Sequence, residues 1–424
     1  MRTAAVVILV AGGEAARAQC DAWSREFASP GGLGMNGSVA DFADWNGSLY
    51  ATGAFFEAGG ARANYLARWT GSAWERVGTG GAFGGGGMDI PGSALAVYGG
   101  LLIVGGFFNS AGDVPAQQIV SWNGTTFVPL GAGITEGFRR VRCLKVIGSD
   151  LYAGGAFGAA DGAPASNIAR WNGSAWSPLG SGTDGEVLAI EPYAGNVVVG
   201  GRFASAGGAA RAGIAVWTGS QWAGFAGGQT NSLGQVQTLM TEGSHLYVGG
   251  NFRMLGSASA NDVAMWNGTQ WNAMNGGLQG VGVGAITRYR GQLVVAGQFT
   301  HAGGRAIDNI AVWTGSEYLP MAEGLNLNVD AAMVMAGPGG GNDLWVGGGF
   351  FTLGDDTTPS SFIGRWGPTC AAEMTCDGFL DIFDYEEFVR AFEAGEPKAD
   401  VAADGFVDGF DYDRYVELFE SGCM

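Results

Sequence analysis

Histidine is nearly missing from this chain, with 2 residues in 424. His245 and His301 have no Cys, His or acid at ligand spacing, which removes zinc motifs and Ser-His-Asp sets from consideration. Both read as structural, His245 opening a strand and His301 in a loop. Positive charge is scarce too: 21 Lys and Arg face 39 Asp and Glu, for a net charge of −18. With no basic patch, the chain would repel a nucleic-acid backbone. Past the N-terminus no apolar run reaches the ~18 residues of a membrane-spanning helix. The glycine-rich run at 80–87, GGAFGGGG, has no Lys and no helical pattern after it, so it is a loop and not a phosphate cradle.

Glycine and aromatics are what the chain has in excess: 79 Gly, 14 Trp, 24 Phe and 11 Tyr. They recur in register. Seven segments share one pattern: LYATGAF from Leu49, LIVGGFF from Leu102, LYAGGAF from Leu151, VVVGGRF from Val197, LYVGGNF from Leu246, LVVAGQF from Leu293 and LWVGGGF from Leu344. Each ends in a Phe (55, 108, 157, 203, 252, 299, 350), followed by a Trp (69, 122, 171, 217, 266, 313, 366) at a spacing of 14, or 16 in the last. An Asn-Gly or Thr-Gly turn follows the Trp, then a second aromatic at Trp74, Phe127, Trp176, Trp222, Trp271 and Tyr318. Such dipeptides between apolar runs are hairpin signals. A further apolar run precedes each segment, which makes four strands in about 50 residues.

A four-stranded unit cannot bury both faces alone, whereas radial stacking of such units can. The expected fold is all-β, a seven-bladed β-propeller. The seventh unit has no aromatic after Trp366, and DAWSREF at Asp21 matches SAWSPLG at Ser174. Trp23 is therefore expected to bring an N-terminal strand that closes the last blade. The diglycine, the downstream aromatics and the period resemble the kelch and galactose-oxidase propeller superfamily over residues 21–366. They are more similar still to LYVGGxF…NIAxWNGSxW repeat proteins of bacterial surfaces. The copper site of the oxidase members needs His ligands that two scattered histidines do not offer.

The negative charge is concentrated at the C-terminus, where residues 372–424 hold 15 acids and 3 bases. FLDIFDYEEFVRAFEAG from Phe379 repeats 27 residues later as FVDGFDYDRYVELFESG from Phe406. Set against a twelve-residue calcium loop, the side-chain ligands are Glu373, Thr375, Asp377, Asp381 and Asp384, then Asp400, Asp404, Asp408 and Asp411. The carbonyls of Phe379 and Phe406 take position seven. Aspartate at position twelve, and a helix after each loop, resemble dockerin modules. The match departs from that pattern at Glu373, Thr375 and Ala402. The resemblance implies bound calcium and a cohesin-like or cell-surface partner. The bland alternative is that Asp384 and Asp411 only cap helices.

The start of the chain has a charged residue, an apolar stretch at 4–11 and Ala16-Arg17-Ala18, the pattern of a signal peptide cleaved after residue 18. Residues 19–369 are then the propeller and 370–424 the calcium-loop module of an exported protein. Five cysteines fit two disulfides and one free thiol. The pairs expected are Cys20 with Cys370 and Cys376 with Cys423. Cys143 falls in a column of small strand residues and reads as a buried free thiol. Two functions fit. One is a secreted binding or scaffold propeller with a glycan or protein ligand on one face, assembled through the dockerin-like module. The other is a carbohydrate-active enzyme, a glycoside hydrolase or lyase, which needs two carboxylates near each other.

Clustered loop carboxylates repel one another until a cation joins them. Calorimetry of the full chain should therefore show one transition that rises in calcium and falls with chelator, by about 2.7 kcal/mol at a hundredfold excess over Kd. Asp377→Ala and Asp404→Ala should weaken that response, and the first loop should bind better because Thr375 offers an oxygen where Ala402 does not. An unchanged profile would leave the acids as helix caps.

Overall fold

The computed structural model describes residues 21–24, 26–27, 32–81, 86–225, 234–322, 324–337, 342–353, 359–368, 374, 382–396, 399, 401 and 406–421. The signal-peptide segment and Cys20, Cys370, Cys376 and Cys423 lie outside the described residues.

Each repeat makes its own sheet for a local reason. Asn46 and Gly47 both take left-handed backbone, with φ of 54° and 73°, and turn Val39–Trp45 directly into Ser48–Gly53. After Leu66–Trp69, a Thr-Gly turn brings Trp74–Arg76 back so that Trp69 faces Trp74. Among the described residues, seven sheets share this four-strand antiparallel path. Their first strands are Val39–Trp45, Gly92–Tyr98, Arg140–Ile147, Glu186–Tyr193, Gln235–Glu242, Leu278–Tyr289 and Val329–Ala336. Six sheets draw all four strands from consecutive sequence. In the seventh, Asp21–Trp23 pairs with Ile363–Pro368, and Trp23 sits opposite Trp366.

That pairing repeats a contact made in every other sheet. Trp69–Trp74, Trp122–Phe127, Trp171–Trp176, Trp217–Trp222, Trp266–Trp271 and Trp313–Tyr318 have ring centroids 4.7–5.4 Å apart; Trp23–Trp366 lies at 5.2 Å. Cross-strand aromatic pairs of this kind add roughly 0.5–1.5 kcal/mol beyond the area they bury.

The Phe-to-Trp spacing has an equally local origin. Four residues before each Trp the backbone is left-handed, at Tyr65, Gln118, Asn167, Gly213, Asp262, Asn309 and Phe362. At each of these positions the N–H donates to the carbonyl of the repeat's Phe, for instance Asn167 to Phe157 at 2.9 Å. Its carbonyl accepts from the second position of the glycine pair, as from Gly155 at 3.0 Å. This clasp closes the loop between Phe and the left-handed position, ten positions apart in six repeats and twelve in the last, and the spacing to the Trp follows. The Phe side chains themselves are buried.

The first glycine of the pair answers a different demand. The apolar clusters lie between consecutive sheets: Val104 and Leu102 pack with Tyr50 and Leu66, and Trp345 and Ile363 pack with Leu49 and Trp69. At the inner edge of this packing a valine from the neighbouring first strand presses on the glycine. A Cβ on Gly105 would lie 2.5 Å from Val141 Cγ1, one on Gly154 2.6 Å from Val187 Cγ1, and one on Gly347 2.7 Å from Val39 Cγ1. Just after that position every first strand carries a bulge. The extra residue bends the strand where it crowds its neighbours.

One sheet boundary inverts the pattern. Thr52 replaces the first glycine, and its hydroxyl donates to the Tyr65 carbonyl at 2.8 Å. Across from it Gly92 replaces the valine, and a Cβ there would collide with Thr52 Oγ1. Gly92→Val alone should therefore destabilise by about 1–3 kcal/mol through overpacking. Thr52→Gly alone should also destabilise. The double variant should recover part of the loss, with a coupling of about 1–3 kcal/mol in urea unfolding. Additive losses would show that the swap is not what joins these two sheets.

Candidate functional site

The C-terminal acids come first. Helices α1 (Ile382–Glu393) and α2 (Gly409–Ser421) form a two-fold pair. Residues 27 apart meet each other: the Phe388 and Tyr415 rings stack at 3.8 Å, and the Tyr385 and Tyr412 hydroxyls lie 3.0 Å apart. The sequence duplication is thus a structural one. Asp384 and Asp411, at loop position twelve, fall in the first turn of each helix and are fully buried. Asp384 Oδ1 accepts from the Met374 N–H at 2.7 Å, and Asp411 Oδ2 accepts from the Asp408 N–H at 2.9 Å. Both carboxylates thus accept a backbone N–H from the preceding loop. Phe406 is exposed, and Asp408 is exposed. Glu373, Thr375, Asp377, Phe379, Asp381, Asp400 and Asp404 lie outside the described residues.

The second concentration of charge lies on the first strands. Lys145 pairs with Glu191 at 2.6 Å, Arg142 with Glu186 at 3.0 Å, and Arg288 with Glu242. Each pair joins consecutive sheets. Burial pushes the Asp41 carboxyl up to about 6, against two hydrogen bonds that lower it. Those bonds come from the Phe42 N–H and, in the next sheet, the Leu95 N–H, both at 2.8 Å. Glu191 likewise accepts from the Thr241 N–H of the next sheet at 3.1 Å. These acids tie sheet to sheet, and their oxygens are spoken for. Cys143 is a free thiol whose pKa burial raises far above the usual range, so it stays protonated and unreactive. It lines the same column as Asp41, Ala94 and Ala189.

The two ends of the sheets differ. Short turns join first to second strands, and third to fourth, at one end. Long connections join second to third strands, and each sheet to the next, at the other. Of the exposed large apolar residues in the sheet region, Phe56, Phe107, Phe138, Met254, Val281, Leu327 and Phe351 sit at this long-loop end. Only Val97 and Val128 lie elsewhere among the described residues. Phe138 is 84% exposed and Phe351 54%. Phe56 and Phe351 occupy the same place in two repeats, each N–H donating to an Asn side chain, Asn36 at 2.8 Å and Asn326 at 3.0 Å. A cleft of ≈ 370 Å³ opens at the same end, between the sixth sheet and the connection to the seventh.

Sequence reasoning missed this cleft. Its one signal was the longer alternating run before the sixth repeat, which folds as a strand of 12 residues instead of the 7 or 8 of the others. The paired second strand extends to Ala302, so His301 lies in a strand and not in the loop expected for it. His245 opens its strand as expected.

Radially packed four-stranded antiparallel sheets define the chain as a β-propeller. No known family profile matches it, and no curated protein matches it. Solved structures do. The WD40 β-propeller domain of Doa1 aligns with a TM-score of 0.48 at 13% identity, covering 79% of this chain and 94% of that one. The computationally designed Ika8 protein gives 0.46 at 14%, covering 78% and 97%, and YCF48 bound to a D1 peptide gives 0.46 at 12%, covering 80% and 93%.

One titratable group inside the clasp yields a prediction. Asn167 and Asn309 use their amides both ways: Oδ1 accepts from the Phe157 or Phe299 N–H, and Nδ2 donates to the Thr183 or Leu325 carbonyl. Asp262 holds the same position and accepts from the Phe252 N–H at 2.9 Å, but has no amide to give. Burial raises its pKa to about 6, against lowering by that hydrogen bond and by Arg253. The folded state therefore binds this proton more tightly than the unfolded one, and stability rises as pH falls from above 6 toward 4. Asp262→Asn should stabilise the protein at pH 7.5 by about 1–2 kcal/mol, discounted for screening, and flatten that pH dependence. A variant no more stable than the parent at pH 7.5 would refute the assignment.

Proposed function

We propose that this is an exported binding protein, a closed seven-bladed propeller that presents its long-loop face to a ligand and is held in place by a calcium-loop module of dockerin type. The observation that carries the reading is the gathering of exposed Phe, Leu, Met and Val side chains at one end of the sheets. Exposed apolar groups scattered singly need no explanation, but a face that collects them marks an interaction site. Closure of the ring is supported by Val39 packing on Gly347, and by the Trp23–Trp366 pair. Attachment is supported by the two-fold helix pair and its two buried loop-closing carboxylates, Asp384 and Asp411. Glu373, Thr375, Asp377, Asp381, Asp400, Asp404 and Asp408, with the Phe379 and Phe406 carbonyls, would complete the calcium shells. The partner of the module would be a cohesin-like or cell-surface protein. A glycosidase would need two carboxylates free to act on one bond. The first-strand acids Asp41, Glu186 and Glu191 are instead engaged by neighbouring backbone or cations.

Arrays of glycans and of extracellular proteins, probed with the full chain in calcium, test the reading. Retained ligands should be lost at least tenfold in the double variant Phe56→Ser, Phe351→Ser, with the melting temperature unchanged. An array that retains nothing, or binding indifferent to those two residues, would overturn the assignment of this face.

A further inference from the structure

The cleft between the sixth and seventh sheets differs from the rest of the long-loop face in setting polar side chains beside apolar ones. One wall is the extended hairpin of the sixth sheet, which has three register breaks, one of them between the pairs Gly280–Phe299 and Gly282–Gln298. The other is the connection through 325–327. Gln279, Gln298 and Asp308 line it, are exposed, and make no protein hydrogen bond through their side chains among the described residues. Val281 and Leu327 add exposed apolar edges, 56% and 37% accessible. No Lys or Arg is among the lining residues.

This set of groups is selective. Two amides can each donate and accept, and a carboxylate accepts from two donors. Vicinal hydroxyls on a sugar ring are both donors and acceptors, and the C–H face of the ring needs an apolar edge. At ≈ 370 Å³ the cleft is near the small end of ligand pockets, which run from about 300 to 1,000 Å³. That volume suits one or two rings and is short for a peptide. The geometry points to a subsite for a neutral sugar residue: Asp308, Gln279 and Gln298 take its hydroxyls, and Val281 and Leu327 meet its C–H face. The inference rests on the binding reading of this face and gives it a ligand class. An acidic sugar is disfavoured, since its carboxylate would meet Asp308 with no cation beside it.

Saturation-transfer NMR and titration calorimetry on the full chain decide the matter. The probes are methyl hexosides, their β-linked and α-linked dimers, a methyl glucuronide and a tripeptide amide. At least one neutral hexoside or dimer should bind in the millimolar range or tighter. Asp308→Ala and Gln298→Ala should each weaken it tenfold or more with the fold intact by near-UV circular dichroism. The glucuronide should bind at least tenfold more weakly. Neutral sugars that fail to bind, bind equally to both variants, or are outcompeted by the tripeptide would overturn the subsite. If an array ligand sensitive to Phe56 and Phe351 is still retained then, the binding function stands and only the sugar subsite falls.

Discussion

The architecture depends on one contact, a valine of one sheet's first strand pressed against a bare glycine of its neighbour. It recurs at Gly105 on Val141, Gly154 on Val187, Gly200 on Val236, Gly249 on Val283 and Gly347 on Val39. Interiors pack at crystal-like density, so a side chain has nowhere to go at such a crossing. The bulge beside each valine lets the first strand twist away just past the contact. Where the glycine becomes Thr52, the valine becomes Gly92, and the pair keeps its volume with the roles reversed. At the boundary between the sixth and seventh sheets Ala296 stands at the glycine position with Val329 retained, so a methyl is accommodated there.

The fixed inner contact and the clasp between each Phe and its left-handed partner leave little freedom at the turn end. Two-residue turns such as Asn46-Gly47 tolerate few residue types. The other end has no such limit. Its connections run on the surface, where length and sequence can vary without disturbing the sheets. The exposed phenylalanines and the cleft lie at this end for that reason. A ligand site placed here costs the sheet packing nothing.

Much of this was legible in the sequence because the periodic residues answer to local contacts. Trp and its partner five residues on follow from one cross-strand pair, and the same kind of pair sets Trp23 opposite Trp366. The bulges were not legible. The residue that bulges is Ala40, Ser93, Arg142, Leu188, Gln237, Gly284 or Asp330, which share no chemistry. The cleft was invisible for another reason. Gln279 and Asp308 are brought to one wall only by the fold of the sixth sheet, and Leu327 comes from the connection to the next. The C-terminal acids stand between these cases: the duplication marks Asp384 and Asp411 as equivalent, and both are buried in the first turn of a helix.

The seventh sheet faces a difficulty the other six avoid. Their fourth strands are tethered by a short turn, so pairing costs little closure entropy. Asp21–Trp23 arrives without such a turn, and an aromatic pair worth about 1 kcal/mol does not hold a free strand end. Ionic contacts fix where the strand lies. Arg290 reaches from the sixth sheet to Asp21 at 2.9 Å, and the Tyr289 hydroxyl donates to the same carboxylate at 3.1 Å. Arg365 meets Glu26 at 3.0 Å and approaches Asp343. Burial raises the pKa of all three acids, Asp343 to about 6, against the pull of the arginines. All three thus favour proton uptake on folding, and the contribution of Asp343 grows as pH falls through about 6. Specificity is what the ions add. An apolar segment could lie on this edge in several registers, but Asp21 meets Arg290 and Tyr289 in only one, which is the register that also sets Trp23 on Trp366.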